Sequence, residues 1–331
     1  MTAHAPHAPD AEMAKILAGL AAAPAVDLRA MPIEEARATF VRNQIGWSWA
    51  PAAMAETREL VAPGAARPLA ARLHRPPGSG DLPVILYVHG GGWTFGSIDT
   101  HDGAMRCLAL ASGCAVLGFD YRLAPEHPFP APLDDVLAVL AHVEAGGLGP
   151  GFDRRRIALA GDSAGATLSL GALIARRDAG LPPPATATLF YGCYAPIFDT
   201  PSHARNGDGR YLLRTEMMRW YWSNFLGSCA AEDAPGACAP LNAELSGLPP
   251  LYLNAAGLDP LLDDTSLLAA RLAAAGARFR LDVFPGVVHG FLRFARDLSA
   301  AREAIAAAGA HLRATFEDAA TTEQATRRTT P

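Results

Sequence analysis

Ser163 sits at the centre of GDSAG, residues 161–165, within the longer run RIALAGDSAGATL. A short apolar segment enters the motif and a helix-forming segment leaves it. This is G-x-S-x-G at a strand-to-helix turn, an arrangement that lifts a serine hydroxyl to the tip of a tight bend. Gly161 and Gly165 flank the serine two positions away on each side. Larger side chains at those two places would collide across the turn. A serine hydroxyl is a weak nucleophile near neutral pH and needs a base beside it. The chemistry this predicts is acyl transfer through a covalent intermediate on Ser163.

The chain holds ten histidines from which to draw that base. In sheets with this kind of turn the partners follow in the order serine, acid, histidine. Only His289 and His311 lie after a plausible acid downstream of Ser163. His311 falls inside an alanine-rich helical stretch, where a solvated face explains it. His289 lies in GVVHGF, a loop directly after an apolar run, and is the expected base. The acid should leave the preceding strand, PLYLNA. Asp259 comes first, followed by Pro260, whereas Asp263 and Asp264 open the next helix, where carboxylates suit the N-terminal dipole. Asp259 is the expected acid.

Attack on a carbonyl creates an oxyanion, which needs donors fixed in advance. The stretch YVHGGGWTFGS, residues 87–97, offers them after another apolar run. Three consecutive glycines are costly to order, and they let a reacting group approach bare backbone N–H donors. The expected donors are Gly91, Gly92 and Ala164, with His89 shaping the loop.

These groups need a frame. ETRELVA (56–62) and PLAARLHR (68–75) alternate in polarity and predict half-exposed antiparallel strands. Six short apolar runs then predict buried strands: 83–88, 114–119, 156–161, 186–191, 250–255 and 279–284. Helical patterns over 102–112, 131–145, 164–180, 263–276 and about 298–317 separate them or follow the last. Such alternation predicts an α/β fold: an eight-stranded, mostly parallel sheet with helices on both faces. Residues 51–194 and 241–317 would form this body. Residues 1–50 and the insertion 195–240 stand outside the alternation and are expected to cap it, and 318–331 reads as a disordered tail. The cap segments carry Trp47, Trp49, Trp220, Tyr221, Trp222 and Phe225. Trp220 and Trp222, with Trp93 and Phe291 beside the glycine run and the histidine, are expected to line the substrate pocket.

Composition narrows the alternatives. The formal net charge is −5 and the longest basic block is RRR at 154–156, which argues against nucleic acid. No apolar run reaches the length of a membrane span. Residues 13–25 imitate a secretory leader in outline, but Met13, Ile16, Leu17 and Leu20 mark one face of an amphipathic helix. Of the 28 basic side chains only Lys15 is a lysine, so neither a P-loop nor a Schiff-base mechanism has its residue in place. No G-x-G-x-x-G, H-E-x-x-H or C-x-x-C occurs, and no cofactor or metal is expected. The five cysteines, irregularly spaced, predict free thiols and a cytoplasmic protein, with a Cys229–Cys238 bridge the less expected arrangement.

HGGGW (89–93), DYRLAPEHPFPAPLDD (120–135), GDSAG (161–165), DPLLDD (259–264) and HGF (289–291) appear in that order. On these motifs the chain resembles the hormone-sensitive-lipase family of α/β-hydrolase esterases, in its bacterial acetyl-esterase-like branch, over about residues 55–315. The resemblance implies Ser163, Asp259 and His289 as nucleophile, acid and base, Gly91, Gly92 and Ala164 as oxyanion donors, and a bracing role for YRLAPE (121–126). It implies hydrolysis of small short-chain carboxylic esters without cofactor or metal, and a homodimer through the last strand. Two positions depart from the family pattern: Ala166 replaces a second glycine after GDSAG, and Asp264 a more usual glutamate. Two other readings stand beside ester hydrolysis: the same triad acting on an amide, carbamate or lactone, and a small-molecule binding protein on the hydrolase fold.

Overall fold

Strand and helix periods along the chain decide which faces must be covered. The computed structural model describes residues 8–22, 26–45 and 53–329. Two helices come first, α1 (Ala11–Ala21) and α2 (Ile33–Ile45). The body follows as β1 (Glu56–Pro63), β2 (Pro68–Arg75), β3 (Leu82–Val88), α3 (Ile98–Ser112), β4 (Ala115–Phe119), α4 (Ala131–Glu144), β5 (Phe152–Asp162), α5 (Ala164–Asp178) and β6 (Ala187–Phe190). Next come α6 (Pro201–Asn206) and α7 (Thr215–Leu226), then β7 (Leu251–Leu258), α8 (Leu262–Ala274), β8 (Phe279–Val288) and α9 (Ser299–Thr329).

The eight strands make one sheet in the order β1-β2-β4-β3-β5-β6-β7-β8. The pairs β1–β2 and β2–β4 are antiparallel and the remaining five are parallel. The predicted α/β-hydrolase architecture is therefore the observed one. β7 is buried at every position, as a central parallel strand covered on both faces must be, whereas β1 is exposed at most of its positions.

Side chains alternate across the sheet and divide the core in two. Val84, Leu86 and Val88 of β3 face one cluster with α4, α5, α7 and α8. Ile85 and Tyr87 face the other, with α1, α3 and α9. Burial of apolar surface on both faces, at about 25 cal/mol per Å², is what makes the sheet rigid enough to hold a site at its edge.

Two features differ from expectation. The last helix runs on to Thr329, through the stretch read as a tail, because alanine, glutamate, glutamine and arginine continue to favour helix until Pro331. The two N-terminal helices do not form a single cap. Met13 and Ile16 of α1 bury against the second core face, Asp10 N–H donates to the Gly286 carbonyl in β8, and Glu12 accepts from Ser299 N–H at the start of α9. Trp47 and Trp49 lie outside the described residues. The insertion 195–240 contributes α6 and α7, of which α7 packs its aromatic face onto the glycine-rich loop after β3.

Candidate active site

Every predicted reacting group follows the C-terminal end of a parallel strand, where loops of an open α/β sheet converge. β3 delivers His89 and the glycine run, β5 delivers Ser163, β7 delivers Asp259 and β8 delivers His289. Register brings them together. Val88 pairs with Gly161, so the glycine run begins beside the serine turn. Leu258 pairs with Val288, so the next residues, Asp259 and His289, emerge side by side.

The turn itself is strained. Ser163 has φ 53° and ψ −121°, outside the regions an L-residue prefers. Gly165 packs so close to β3 that a Cβ there would overlap the Val88 carbonyl, and a Cβ on Gly161 would meet the Gly165 backbone at 2.5 Å. Glycine at both positions is therefore a requirement of the turn. Ala166, the departure from the family pattern, is buried in the first turn of α5 and disturbs nothing.

His289 bridges the other two groups. Its Nε2 lies 2.9 Å from Ser163 Oγ and its Nδ1 lies 2.7 Å from Asp259 Oδ2. Asp259 is fully buried, and its other oxygen accepts from Leu261 N–H at 2.8 Å. Both carboxylate oxygens are thus held, which fixes the ring that faces the serine. The competing acids are engaged elsewhere: Asp263 accepts from Ser202 N–H and Asp264 from Tyr194 N–H. His311 contacts Thr186 Oγ1 at 2.7 Å, far from Ser163 in the fold. It is half-buried against Tyr252 rather than solvated as its sequence context implied, because α9 packs that face on the sheet.

Gly91 and Gly92 adopt φ of +115° and +60°, and both line the cavity above Ser163. Their N–H groups and that of Ala164 donate to no acceptor among the described residues. A Cβ on Gly92 would enter the ring of Tyr221. The loop is braced from behind. Tyr121 donates its hydroxyl to the His89 carbonyl at 2.9 Å, and Ala124 N–H donates to the Trp93 carbonyl. His89 stacks on Tyr121, and burial pushes its pKa down to about 3, so it stays neutral and shapes the loop.

Sequence reasoning missed one buried cluster beneath this loop. Asp162 Oδ1 accepts from the Tyr87 hydroxyl at 2.9 Å and from Gly90 N–H at 3.1 Å, and it lies 3.4 Å from His101 Nε2. Burial alone would lower the His101 pKa, but the Asp162 carboxylate outweighs it and the net shift is upward. Asp162 itself is lowered: burial opposes its charge, and His101 and Tyr87 overcome that. Asp162 could have been singled out by its place beside the nucleophile. His101, in the first turn of α3, carries no sequence signal.

A model of a family described as alpha/beta hydrolase fold matches residues 85–293, more than half of the chain. The chain belongs to the α/β-hydrolase fold family. Within it, the hormone-sensitive-lipase-like branch expected from the motifs is the one its relatives share. This α/β-hydrolase is 41% identical over 237 residues to carboxylesterase NlhH of Mycobacterium tuberculosis, covering 70% of this chain and 74% of that one. It is 39% identical over 253 residues to esterase LipI of the same organism, covering 74% and 78%. Among solved structures it superposes on the ester hydrolase EH1AB1 from the Lake Arreo metagenome, complexed with a bipyridine phosphonate derivative, with TM-score 0.88, 34% identity and coverage of 93% and 99%. A hyperthermophilic esterase from Pyrobaculum calidifontis gives TM-score 0.85 at 31% identity, again covering 93% and 99%.

The cavity over Ser163 has a volume of about 270 Å³. Its walls correct the expected pocket residues of the hydrolase. Trp93 is fully buried and stacks on Phe225 at 4.1 Å between ring centroids, and Trp222 packs on Trp93. Trp220 packs on Phe95, and Phe291 is buried against Tyr191 and Phe284. None of these four is among the residues lining the cavity. Along α7, Met217, Met218 and Tyr221 reach the cavity, the last two also packing in the core, while Trp222 and Phe225 lie in the core alone.

Proposed function

We propose that this protein hydrolyses short-chain carboxylic esters through an acyl-enzyme on Ser163. The observation that carries the reading is His289, held between Asp259 and Ser163 at hydrogen-bond distance from each. Ser163 Oγ bonds to the ester carbonyl carbon while His289 Nε2 takes its proton. The carbonyl oxygen becomes an oxyanion facing the free N–H groups of Gly91, Gly92 and Ala164. The C–O bond to the alcohol then breaks, and His289 returns the proton to the leaving oxygen. Water enters, gives its proton to His289, and releases the acid by the same path in reverse. Asp259 holds the imidazole in one orientation and stabilises its cation.

The names of the relatives, carboxylesterase and esterase, support the ester bond over the amide, carbamate or lactone. The small cavity, closed on one side by Tyr221, supports a short acyl chain. Apart from the attacking water, every group that moves a proton or donates a hydrogen bond in these steps belongs to the chain, so the reading invokes no cofactor. Turnover of p-nitrophenyl butyrate tests it, together with its loss in Ser163→Ala. A folded wild-type protein without ester turnover overturns the reading.

We also assign the protein to the cytoplasm and to a homodimer through β8. All five cysteines are free thiols, and no described helix is long and apolar enough to cross a membrane. β8 closes one end of the sheet and leaves Val283 exposed. Sedimentation of the wild type against a variant with charge at Val283 tests the dimer.

A further inference from the structure

Besides three tyrosines, four acidic or basic side chains line the cavity: His101, Asp162, His289 and Arg293. Three are accounted for. His289 belongs with Asp259, and Asp162 is taken up by Tyr87, Gly90 and His101. Arg293 is not. Among the described residues its guanidinium makes no hydrogen bond and no salt bridge, and its Nε is buried without a hydrogen-bond acceptor; Asp162 and Tyr191 act on it only through longer-range electrostatics. The side chain lies in the short turn Phe291–Phe294, four residues beyond His289, with its guanidinium over the Phe294 ring at 4.6 Å. Stacking of this kind occupies the face of the guanidinium and leaves its N–H edge open.

Arg293 is half-buried, and enclosing its Nε without a hydrogen-bond acceptor costs the fold free energy. Burial draws the Arg293 pKa down to about 10, which still leaves it charged at neutral pH. Its geometry suits a planar anion, to which a guanidinium can donate two parallel hydrogen bonds.

Resting on the esterase reading, we propose that Arg293 determines specificity by binding a carboxylate on the substrate, so that the preferred esters carry a free organic acid group. A guanidinium with no hydrogen-bonded acceptor suits a singly charged carboxylate, which the cavity would take in alongside the scissile ester. The carboxylate can sit on the acyl side or on the alcohol side of the bond, and the two are separable by experiment.

The acyl-side pair is monoethyl glutarate and the ethyl ester of glutaramic acid, its uncharged amide counterpart. The alcohol-side pair is 3-acetoxybenzoate and 3-acetoxybenzamide. Hydrolysis is followed in a pH-stat, and the readout is the ratio of kcat/KM for acid over amide within each protein. In the wild type one of the two ratios should exceed unity by about 10-fold or more, the scale of a charged hydrogen-bonded contact. In Arg293→Met that ratio should fall to unity or below, and in Arg293→Glu it should invert. Arg293→Lys should restore part of it, which a merely structural arginine would not produce. In the wild type alone, glutarate should inhibit amide-ester turnover competitively and glutaramide should not, a measurement that needs no variant. Ratios near unity in both wild-type pairs, or a preference that survives Arg293→Met, would overturn the inference. Wild-type hydrolysis of none of the four esters would instead overturn the esterase reading.

Discussion

Asp162 Oδ1 lies 3.1 Å from the amide nitrogen of Gly90, so the residue before the nucleophile holds the first glycine of the run that faces it. The two loops of the site are thereby one unit. A charged acceptor buried with three donors is worth most when it is removed, because the donors are left unpaired. Asp162→Ala should cost about 3–5 kcal/mol in denaturant unfolding, and it should lower kcat in whatever protein remains folded. Asp162→Asn keeps an acceptor oxygen and should cost less on both counts. An alanine variant as stable and active as the wild type would show that the loops are held independently.

Ser163 and His289 should act as a pair. Ser163→Ala or His289→Ala should each reduce kcat on the order of 10⁶-fold, and the double variant little further, as groups that act together do. An organophosphate should label one peptide, the one holding Ser163, and leave Ser163→Ala unlabelled. His311→Ala should keep its kcat and lose only stability, since His311 contacts Thr186 and Tyr252 rather than the site.

Gly92 is the most sensitive position of the oxyanion loop. Its φ of +60° disfavours any side chain, and a Cβ there would enter the Tyr221 ring. Gly92→Val should swing one donor out of line, at about 3–4 kcal/mol or roughly 10²–10³-fold in kcat. Circular dichroism should show the fold intact. A loss of only a few-fold in a folded variant would reduce the glycine run to a turn.

Acyl length should be set by Tyr221 and not by the neighbouring tryptophans. Each added CH₂ gains about 0.8 kcal/mol of burial until it meets a wall. Overpacking beyond the wall then costs about 1–3 kcal/mol. A series of p-nitrophenyl esters from acetyl upward should therefore peak and fall, and Tyr221→Ala should move the peak to longer chains. Trp222→Ala should leave the peak in place and instead cost about 3–5 kcal/mol of stability, because Trp222 fills the core against Trp93 and Phe225.

Thermal stability should carry a His101 signature. The folded pKa of His101 is raised above its unfolded value by Asp162. Its stabilising contribution is thus complete below the unfolded value, near pH 6.5, and is lost as pH rises through the higher folded value. The advantage in Tm of the wild type over His101→Gln should be largest at mildly acidic pH and shrink towards alkaline pH. An advantage that grows with pH would mean that His101 is neutral in the folded protein.

The triad, the glycine run and the strand-helix order are written locally in the chain. GDSAG needs its glycines because of its own turn, and the order serine, acid, histidine follows the order of strands, so Ser163, Asp259 and His289 could be proposed as a triad from motif and chain order. The sheet was legible for the same reason: buried parallel strands must be continuous apolar runs. What required the tertiary structure was everything decided by which face of a helix turns inward. In α7, Tyr221 and Trp222 are adjacent in sequence and equally aromatic, yet a rotation of about 100° per residue sends one to the cavity and the other to the core. Met13 and Ile16 mark α1 as amphipathic without saying that their partner is the far face of the sheet rather than the site. The pairing of Asp162 with His101, and the lack of a hydrogen-bonded partner for Arg293 among the described residues, depend on packing across elements distant in the chain. Local sequence determines the chemistry at the strand ends because the strand itself aims those residues. Long-range packing determines the charge and shape of the space above them.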